Sequence, residues 1–351
     1  MVRVRARGEA IRRFILEKIK EHPSDIGKIA SDRFDITRQA INKHLQRLVD
    51  EKALTVQGQT RSRVYKLAAM IEWQNTYNLS TARLEEDVIW RNDIGPVLGP
   101  QLENVLSIWN YGFSEMFNNA IEHSGGSEIY VHIARTAIDT EIALMDNGVG
   151  IFKKIQMAME LLDERHAVLE LSKGKLTTDP VHHTGEGIFF ASRMFDKFDI
   201  LSGGVFFTHE FETGEDWILE RTKFQSGTAV WMKLNNHTSR TAKKIFDQYA
   251  SGDDYRFDKT VVPVKLAQYG NEQLISRSQA KRLLARVELF KTVILNFSEV
   301  VSIGQAFADE IFRVFATKHP EVQLIPTETN SEVKRMIARA KSGEAKETGK
   351  K

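Results

Sequence analysis

The stretch SEMFNNAIEHS, residues 114–124, places a carboxylate and an amide where both could act on one ligand. Glu115 and Asn119 are four residues apart, within an apolar pattern that predicts a helix from about Gln101 to Glu122. Both side chains should therefore face the same space. On an ordinary amphipathic helix, however, the same pair would simply be two solvated polar residues, so the remaining sequence has to decide between these alternatives.

Three further glycine-containing stretches follow in the order MDNGVGIF, HHTGEGIFF and QSGTAV. In the first, Asp146 should end a strand, and the two glycines after it permit a tight turn. In the second, Gly185 and Gly187 precede an apolar segment predicted to be a helix, and a glycine-rich turn at a helix N-terminus is suited to binding phosphate. In the third, Gly227 and Thr228 should open a strand.

Together, the four stretches resemble the nucleotide-binding motifs of the GHKL ATPases, a group that includes DNA gyrase and the histidine kinases. The resemblance covers about residues 100–236, and SEMFNNAIEHS is most similar to the form found in anti-sigma-factor serine kinases. It implies a GHKL α/β sandwich, with a mixed sheet covered by helices on one face. It also implies ATP and Mg²⁺ as ligands.

The resemblance assigns a role to each polar residue of these motifs. Glu115 should act as the general base towards the attacking nucleophile, and Asn119 should coordinate the Mg²⁺ that bridges the ATP phosphates. Asp146 should accept a hydrogen bond from the adenine amino group. The residues implied beside the adenine ring are Gly148, Gly150 and Thr228. The residues implied beside the phosphates are Gly185, Glu186 and Gly187.

Residues 152–184 occupy the position where this family has a mobile ATP lid. Lys173 and Lys175 are candidates to contact the triphosphate there, although two solvated lysines would give the same sequence. His182 and His183 have no third ligand at metal spacing, which disfavours a zinc site.

The first 68 residues contain 16 Lys and Arg against 8 Asp and Glu, whereas the remaining residues contain 33 against 39. Three amphipathic helices and a basic hairpin are predicted in this segment, which resembles a winged helix-turn-helix that binds double-stranded DNA. The side chains predicted to reach base edges are Arg38, Gln39 and Asn42. Those predicted to reach phosphates are Lys43, Arg61 and Arg63. A protein-binding winged helix, or a basic solvated surface, remains the alternative.

The rest of the chain is predicted as a helical linker over 69–100, the nucleotide domain over 101–238, a small α/β domain over 240–330 and a charged tail over 331–351. The tail is expected to be a frayed helix followed by disorder. Strands and helices alternate in the small α/β domain, and VILNFSEVVSIGQAFADEIFRVF resembles STAS-like domains, which implies a protein partner. The STAS phosphoacceptor position falls on Gln305 or Ala306 here, so self-phosphorylation is disfavoured.

The chain has 351 residues and a formal net charge of +2, and its length predicts two or three domains. The absence of cysteine fits the cytoplasm. Together with the resemblances above, the predicted fold class is an α/β multidomain protein. No apolar run is long enough to predict a membrane span. We expect an ATP-binding transcriptional or signalling regulator in which Mg-ATP controls DNA or partner binding. A serine/threonine kinase acting on a STAS-like partner and a non-hydrolysing ATP sensor are the alternatives. The oligomeric state stays open, a homodimer included.

Overall fold

The computed structural model describes residues 2–59, 62–80, 84–176, 185–250, 256–268 and 272–342. Its elements form three units along the chain. We call them the N-terminal unit (2–68), the central unit (71–250) and the C-terminal unit (256–342).

The N-terminal unit consists of three helices followed by an antiparallel hairpin. Its elements are α1 (Val2–Lys18), α2 (Ile26–Phe34), α3 (Arg38–Asp50), β1 (Leu54–Gln57) and β2 (Val64–Leu67). Thr37 caps α3, because its hydroxyl oxygen accepts a hydrogen bond from the backbone N–H of Ala40 at 3.2 Å. Ile15, Ile41 and Leu45 are buried between the helices. The three predicted helices and the hairpin are confirmed as elements.

The central unit is built on a five-stranded sheet of order β3-β4-β5-β7-β6. The strands are β3 (Ile71–Asn78), β4 (Glu128–Arg135), β5 (Asp139–Asp146), β6 (Lys197–Glu210) and β7 (Glu215–Asn235). Every neighbouring pair is antiparallel, so the prediction of a mixed sheet is wrong. Short turns join β4 to β5 and β6 to β7, and strands joined in this way pair antiparallel.

Strand β3 lies inside the segment predicted as a helical linker, so that prediction is wrong over Ile71–Asn78. Ile71, Trp73 and Tyr77 alternate with polar residues, and this period of two suits a strand with one buried face. Among the described residues of the segment, those in its second half are helical, as α4 (Glu86–Ile89), a π-helical turn (Trp90–Ile94) and α5 (Gly95–Leu98).

Five helices complete the central unit, and α6 packs on the sheet face that carries Ile129, Val131 and Ile142. They are α6 (Glu103–His123), α7 (Ile151–Ala158), α8 (Glu164–Lys173), α9 (Gly187–Met194) and α10 (Ala242–Tyr249). Helix α10 lies beyond the boundary predicted at residue 238. It nevertheless packs on this unit, since the ring of Phe246 lies 5.5 Å from that of Tyr111.

The C-terminal unit has a three-stranded parallel sheet of order β10-β9-β8, which confirms the predicted alternation of strands and helices. The strands are β8 (Lys259–Pro263), β9 (Thr292–Asn296) and β10 (Gln323–Thr327). The helices are α11 (Arg277–Leu284), α12 (Gln305–Asp309), α13 (Ala316–Lys318) and α14 (Ser331–Ser342). Short 3₁₀ turns occupy Val264–Ala267 and Val287–Leu289, and a π-helical turn, Glu310–Phe315, joins α12 to α13.

Helix α14 covers the first part of the tail, where a frayed helix was expected, and it is packed on the protein instead of frayed. Val333, Ile337 and Ala340 recur at helical spacing and are buried in the core. Burial of this apolar stripe holds the helix on the body of the protein despite its many charged residues. Residues 343–351 lie outside the described part of the chain.

Candidate functional site

A cavity of about 470 Å³ lies at the C-terminal end of β5, bordered by α6, α7 and α9. Its size is typical of sites for small molecules and cofactors. Seven residues predicted from the sequence line this one cavity: Glu115, Asn119, Asp146, Gly185, Glu186, Gly187 and Thr228. The structure thus brings together residues from four separate stretches of the chain.

Asp146 is held at one end of the cavity by hydrogen bonds from the backbone. Its Oδ1 accepts a bond from the N–H of Gly148 at 2.9 Å and another from the N–H of Thr228 at 3.2 Å. Burial raises the pKa of Asp146 above its ordinary value, although these hydrogen bonds oppose the rise. The side chain of Thr228 also orders this end, because its Oγ1 accepts a bond from the N–H of Ile151 at 2.9 Å. Asp146 therefore has a fixed carboxylate plane at the cavity wall.

Gly148 and Gly150 form the turn that leads from β5 into α7. A Cβ on Gly148 would lie 2.1 Å from the carbonyl oxygen of Ser124, so only glycine fits against the end of α6. Gly150 has a φ of 95° at the position just before α7. Neither glycine belongs to the cavity lining. They shape the turn behind the wall, whereas the prediction placed them beside a ligand.

Glu115 lies at the opposite end of the cavity, against the first residue of α9. A Cβ on Gly187 would come within 1.9 Å of Glu115 Oε2, so the backbone at Gly187 and the carboxylate approach as closely as glycine allows. Asn119 follows Glu115 by one helical turn on the cavity face of α6. An acid and an amide therefore share one wall of the cavity, and the roles predicted for them stay predictions.

This end of the cavity is acidic. Burial, together with the charges of Glu115 and Glu186, raises the pKa of Tyr111 well above its ordinary value. Burial likewise raises the pKa of Glu186, and the nearby charge of Lys175 opposes the rise. Two carboxylates therefore converge on the wall formed by Tyr111 and the start of α9, so an anionic ligand here would need a cation to offset them.

Lys173 does not line the cavity, and the prediction that it meets a triphosphate is wrong for this arrangement. Its side chain is fully buried at the end of α8, facing the C-terminal unit. Its Nζ donates to Glu170 Oε1 at 2.7 Å and to the carbonyl oxygens of Arg282 at 3.1 Å and Ala285 at 2.8 Å. Burial lowers the pKa of Lys173, and the adjacent charge of Glu170 opposes that effect. The ammonium thus caps the C-terminal end of α11.

Lys175 also points to the C-terminal unit instead of lining the cavity. Its Nζ donates to the carbonyl oxygen of Leu289 at 2.9 Å and lies 4.6 Å from the centre of the Phe290 ring. Its charge nevertheless lies close enough to Glu186 to influence that carboxylate. His182 and His183 lie outside the described residues.

The sequence reasoning missed many residues of the cavity lining, among them Tyr111, Lys154 and Phe246. Tyr111 lies four residues before Glu115 on α6, so its helical spacing was a usable signal. Lys154 lies one turn into α7 and inside the segment 152–184, where the lysines predicted to contact a triphosphate are Lys173 and Lys175. Phe246 comes from α10, and no local pattern indicates that this helix packs on α6.

The residues predicted to contact DNA are exposed where they are described. Arg38, Gln39, Asn42 and Lys43 are all exposed on α3, opposite its buried apolar stripe. Arg63 is exposed just before β2. Arg61 lies outside the described residues. The exposed surface of α3 is therefore basic and polar, as a groove-binding helix requires.

Comparison with known proteins identifies one part of the chain. Residues 279–334 match the family described as a STAS-like domain of unknown function (DUF4325), which confirms the prediction for the C-terminal unit. No curated protein matches the chain. Among the described helices, none has the length and apolar content needed to cross a bilayer.

Proposed function

We propose that the protein is an ATP-responsive regulator whose central unit is a GHKL-type nucleotide-binding domain. One observation carries the proposal: an aspartate at the end of β5 and a glutamate–asparagine pair on α6 line the same cavity, although they lie far apart in the sequence. A cavity of about 470 Å³ can accept a purine nucleotide.

The two ends of the cavity suit the two ends of the nucleotide. Asp146 would accept a hydrogen bond from the exocyclic amino group of adenine, because backbone N–H groups already fix its orientation through Oδ1. Gly185 and Glu186 precede α9 and Gly187 is its first residue, and the N-terminal N–H groups of this helix would favour phosphate oxygens. The close approach of Gly187 to Glu115 places that phosphate-binding backbone beside the candidate base.

Magnesium would resolve the charge conflict at the acidic end. Glu115 and Glu186 both lie where the outer phosphates would be. The two carboxylates and the two outer phosphates would all be negatively charged, so they would repel one another in this half-buried space. The amide oxygen of Asn119 is the neutral oxygen ligand on this wall, and Mg²⁺ accepts such a ligand alongside phosphate and water. When bound, the metal would neutralise phosphate charge during transfer. Glu115 would accept the proton of the nucleophile.

The nucleophile separates the enzymatic candidates. Water would make the protein a slow ATPase switch, whereas a protein hydroxyl would make it a serine/threonine kinase of the anti-sigma-factor type. The kinase alternative gains support from the C-terminal unit, because that unit matches a STAS-like family and is in contact with α8 of the cavity. A sensor that binds ATP without turnover is the non-enzymatic candidate.

The N-terminal unit is proposed to bind double-stranded DNA as a winged helix. Arg38, Gln39 and Asn42 would enter the major groove, while Lys43 and Arg63 would contact phosphates. Occupancy of the cavity by Mg-ATP would then change the affinity for DNA or for a protein partner. Anisotropy of short duplexes, with and without Mg-ATP, tests this coupling; identical isotherms would remove it.

Calorimetry on the full chain tests nucleotide binding directly. ATP and ADP should bind in magnesium buffer. Asp146→Asn should weaken the binding of both by about ten- to a hundredfold, because the asparagine side chain has one acceptor oxygen and cannot accept bonds from both the backbone N–H groups and adenine as the carboxylate does. Asp87→Asn is the matched control, because Asp87 is exposed and pairs with Arg91 on the surface of α4. Wild-type protein that gives no heat with either nucleotide would overturn the proposal.

Phosphate release then distinguishes enzyme from sensor. If the protein turns ATP over, Glu115→Ala should abolish release while leaving ADP binding largely intact. Turnover that survives the substitution would remove Glu115 as the base. Binding without turnover in the wild-type protein, tested with and without candidate protein partners, would identify a sensor.

A further inference from the structure

Lys154 lines the cavity but lies outside the four sequence motifs described above. It lies one turn into α7, is half-buried, and is the only lysine or arginine among the described residues that line the cavity. Its Nζ donates to the carbonyl oxygen of His123 at 2.8 Å. Its neighbour Lys153 is exposed instead and donates to Gln156 Oε1 at 3.1 Å. The two adjacent lysines thus face different surroundings.

The position of Lys154 along the cavity follows from the elements that hold it. The N–H of Ile151, at the start of α7, is bonded to Thr228 Oγ1, and the N–H of Thr228 is bonded to Asp146. Lys154 is three residues after Ile151, so it lies within about one helical turn of the Asp146 end.

The wall formed by α6 gives the same order. Glu115, Asn119 and His123 follow one another at four-residue intervals on the cavity side of this helix. Glu115 contacts the start of α9, and His123 receives the bond from Lys154. A ligand that extends from Asp146 towards Glu115 would therefore pass Lys154 first, then Asn119, and reach the acidic end last.

The ammonium group of Lys154 has the capacity to bind such a ligand. It has three N–H donors, and its recorded bond to His123 engages one of them. The bond goes to a carbonyl in the last turn of α6, where the helix dipole favours a cation, so the side chain is held at the cavity wall. The opposite end carries Glu115 and Glu186, so Lys154 places its charge at the Asp146 end of the cavity, away from these two carboxylates.

We infer that Lys154 binds the α-phosphate, the phosphate nearest the nucleoside, and that it makes the cavity selective for nucleotides over nucleosides. The inference rests on the proposed nucleotide site and adds to it a residue that sets ligand class. A cation at the α-phosphate contributes equally to AMP, ADP and ATP, and contributes nothing to adenosine. That dependence on phosphate number separates a direct contact from a general structural role.

The test is calorimetry of the full chain with adenosine, AMP, ADP and ATP in magnesium buffer, using Lys154→Met and the control Lys153→Met. Loss of one charge-assisted hydrogen bond should weaken AMP, ADP and ATP each by about ten- to a hundredfold in Lys154→Met, and leave adenosine unchanged. Lys153→Met should match the wild type with all four ligands. Lys154→Arg should restore part of the lost affinity, because the guanidinium keeps the charge.

Each other outcome overturns the inference in a recognisable way. Equal weakening of adenosine and the nucleotides would show that Lys154 only supports the fold of α7, and Lys154→Met equal to Lys153→Met would show no ligand contact. Weakening confined to ATP would place the lysine at the outer phosphate. If wild-type protein binds none of the four ligands, the proposed function fails together with the inference, whereas normal wild-type binding confines a failure to Lys154.

Discussion

The N-terminal and C-terminal units are attached to the central unit in different ways. The C-terminal unit shares one continuous hydrophobic core with the central unit, and Phe257 contacts both Phe189 and Phe290 across the junction. The N-terminal unit has a separate core, which Ala137 of the central unit touches at its edge. An ion pair from Lys20 to Asp139 adds a polar contact there, with Nζ and Oδ2 2.6 Å apart.

The difference shows which unit is directly coupled to a structural change in the cavity. Helix α8 carries Leu171 in the cavity wall, and its neighbour Glu170 accepts bonds from Lys173 and from Arg286 of the C-terminal unit. One short helix therefore contacts both the cavity and the STAS-like unit. A change in the cavity that moves α8 must repack the C-terminal unit, while the N-terminal unit could change its position by breaking a few surface contacts.

The largest expected effect is at the buried contact between α8 and α11. Lys173→Met removes one of the two cations that pair with the buried Glu170 and leaves two capped carbonyl groups without their donor, so the free energy of unfolding should fall by about 3–5 kcal/mol. Urea denaturation followed by tryptophan fluorescence measures this loss, with Lys153→Met as the exposed control. A loss below about 1 kcal/mol would show that the junction is not held by this cluster.

The next largest loss of stability is expected from core substitutions in the N-terminal and C-terminal units. All five tryptophans lie between residues 73 and 231, so their fluorescence reports on the central unit. Leu295→Ala, in β9, should lower the stability reported by tryptophan by about 2–5 kcal/mol, because the two units share a core. Ile15→Ala, in α1, should destabilise the N-terminal unit to a similar extent, detectable by circular dichroism, yet leave the tryptophan transition in place. Equal shifts would contradict the separation of the two cores.

The smallest effect is expected at the ion pair between Lys20 and Asp139. Lys20→Met should lower stability by at most about 1 kcal/mol, since the lysine is half exposed and Lys233 still lies 3.0 Å from Asp139 Oδ2. A larger loss, measured by circular dichroism in urea, would indicate that the N-terminal unit is held as firmly as the C-terminal one.

The pH dependence of the same contact has a defined sign. Burial alone would raise the pKa of Asp139, but hydrogen bonds from Lys20 and Thr136 and the charge of Lys233 outweigh it and hold the pKa below its ordinary value of 3.8. The stabilising contribution should therefore be complete above that ordinary value and disappear as the pH falls through the lower native pKa. Lys20→Met should reduce this acid-dependent part of the stability.

Local rules place single cavity residues within their elements, whereas the expectation that the four stretches form one site came from the family resemblance. Glu115 and Asn119 are placed by helical spacing, and Asp146 is placed by the end of a strand before a glycine turn. The missed strand β3 was also readable, since Ile71, Trp73 and Tyr77 alternate with polar residues. These features depend on neighbours within one element.

What could not be predicted depends on contacts between distant parts of the chain. Lys173 stands at the end of a helix in a segment where the family resemblance implied a lid, yet its partners at Arg282 and Ala285 belong to the C-terminal unit. Phe246 reaches the cavity because α10 packs on α6. No periodicity within either segment indicates these partners. The direction in which the side chains of Lys173 and Phe246 point is therefore visible only in the tertiary structure.

Strand β5 has a further consequence for tolerance of insertions. Asp146 lies on the same face as Ile142 and Leu144, while Asp139 begins the strand at the contact with Lys20. Antiparallel partners on both sides fix its alignment. One extra residue within this strand would turn Asp146 to the opposite face of the sheet. A single-codon duplication there should therefore abolish the nucleotide binding proposed for the cavity. The same duplication in the exposed turn at 211–214 should be harmless.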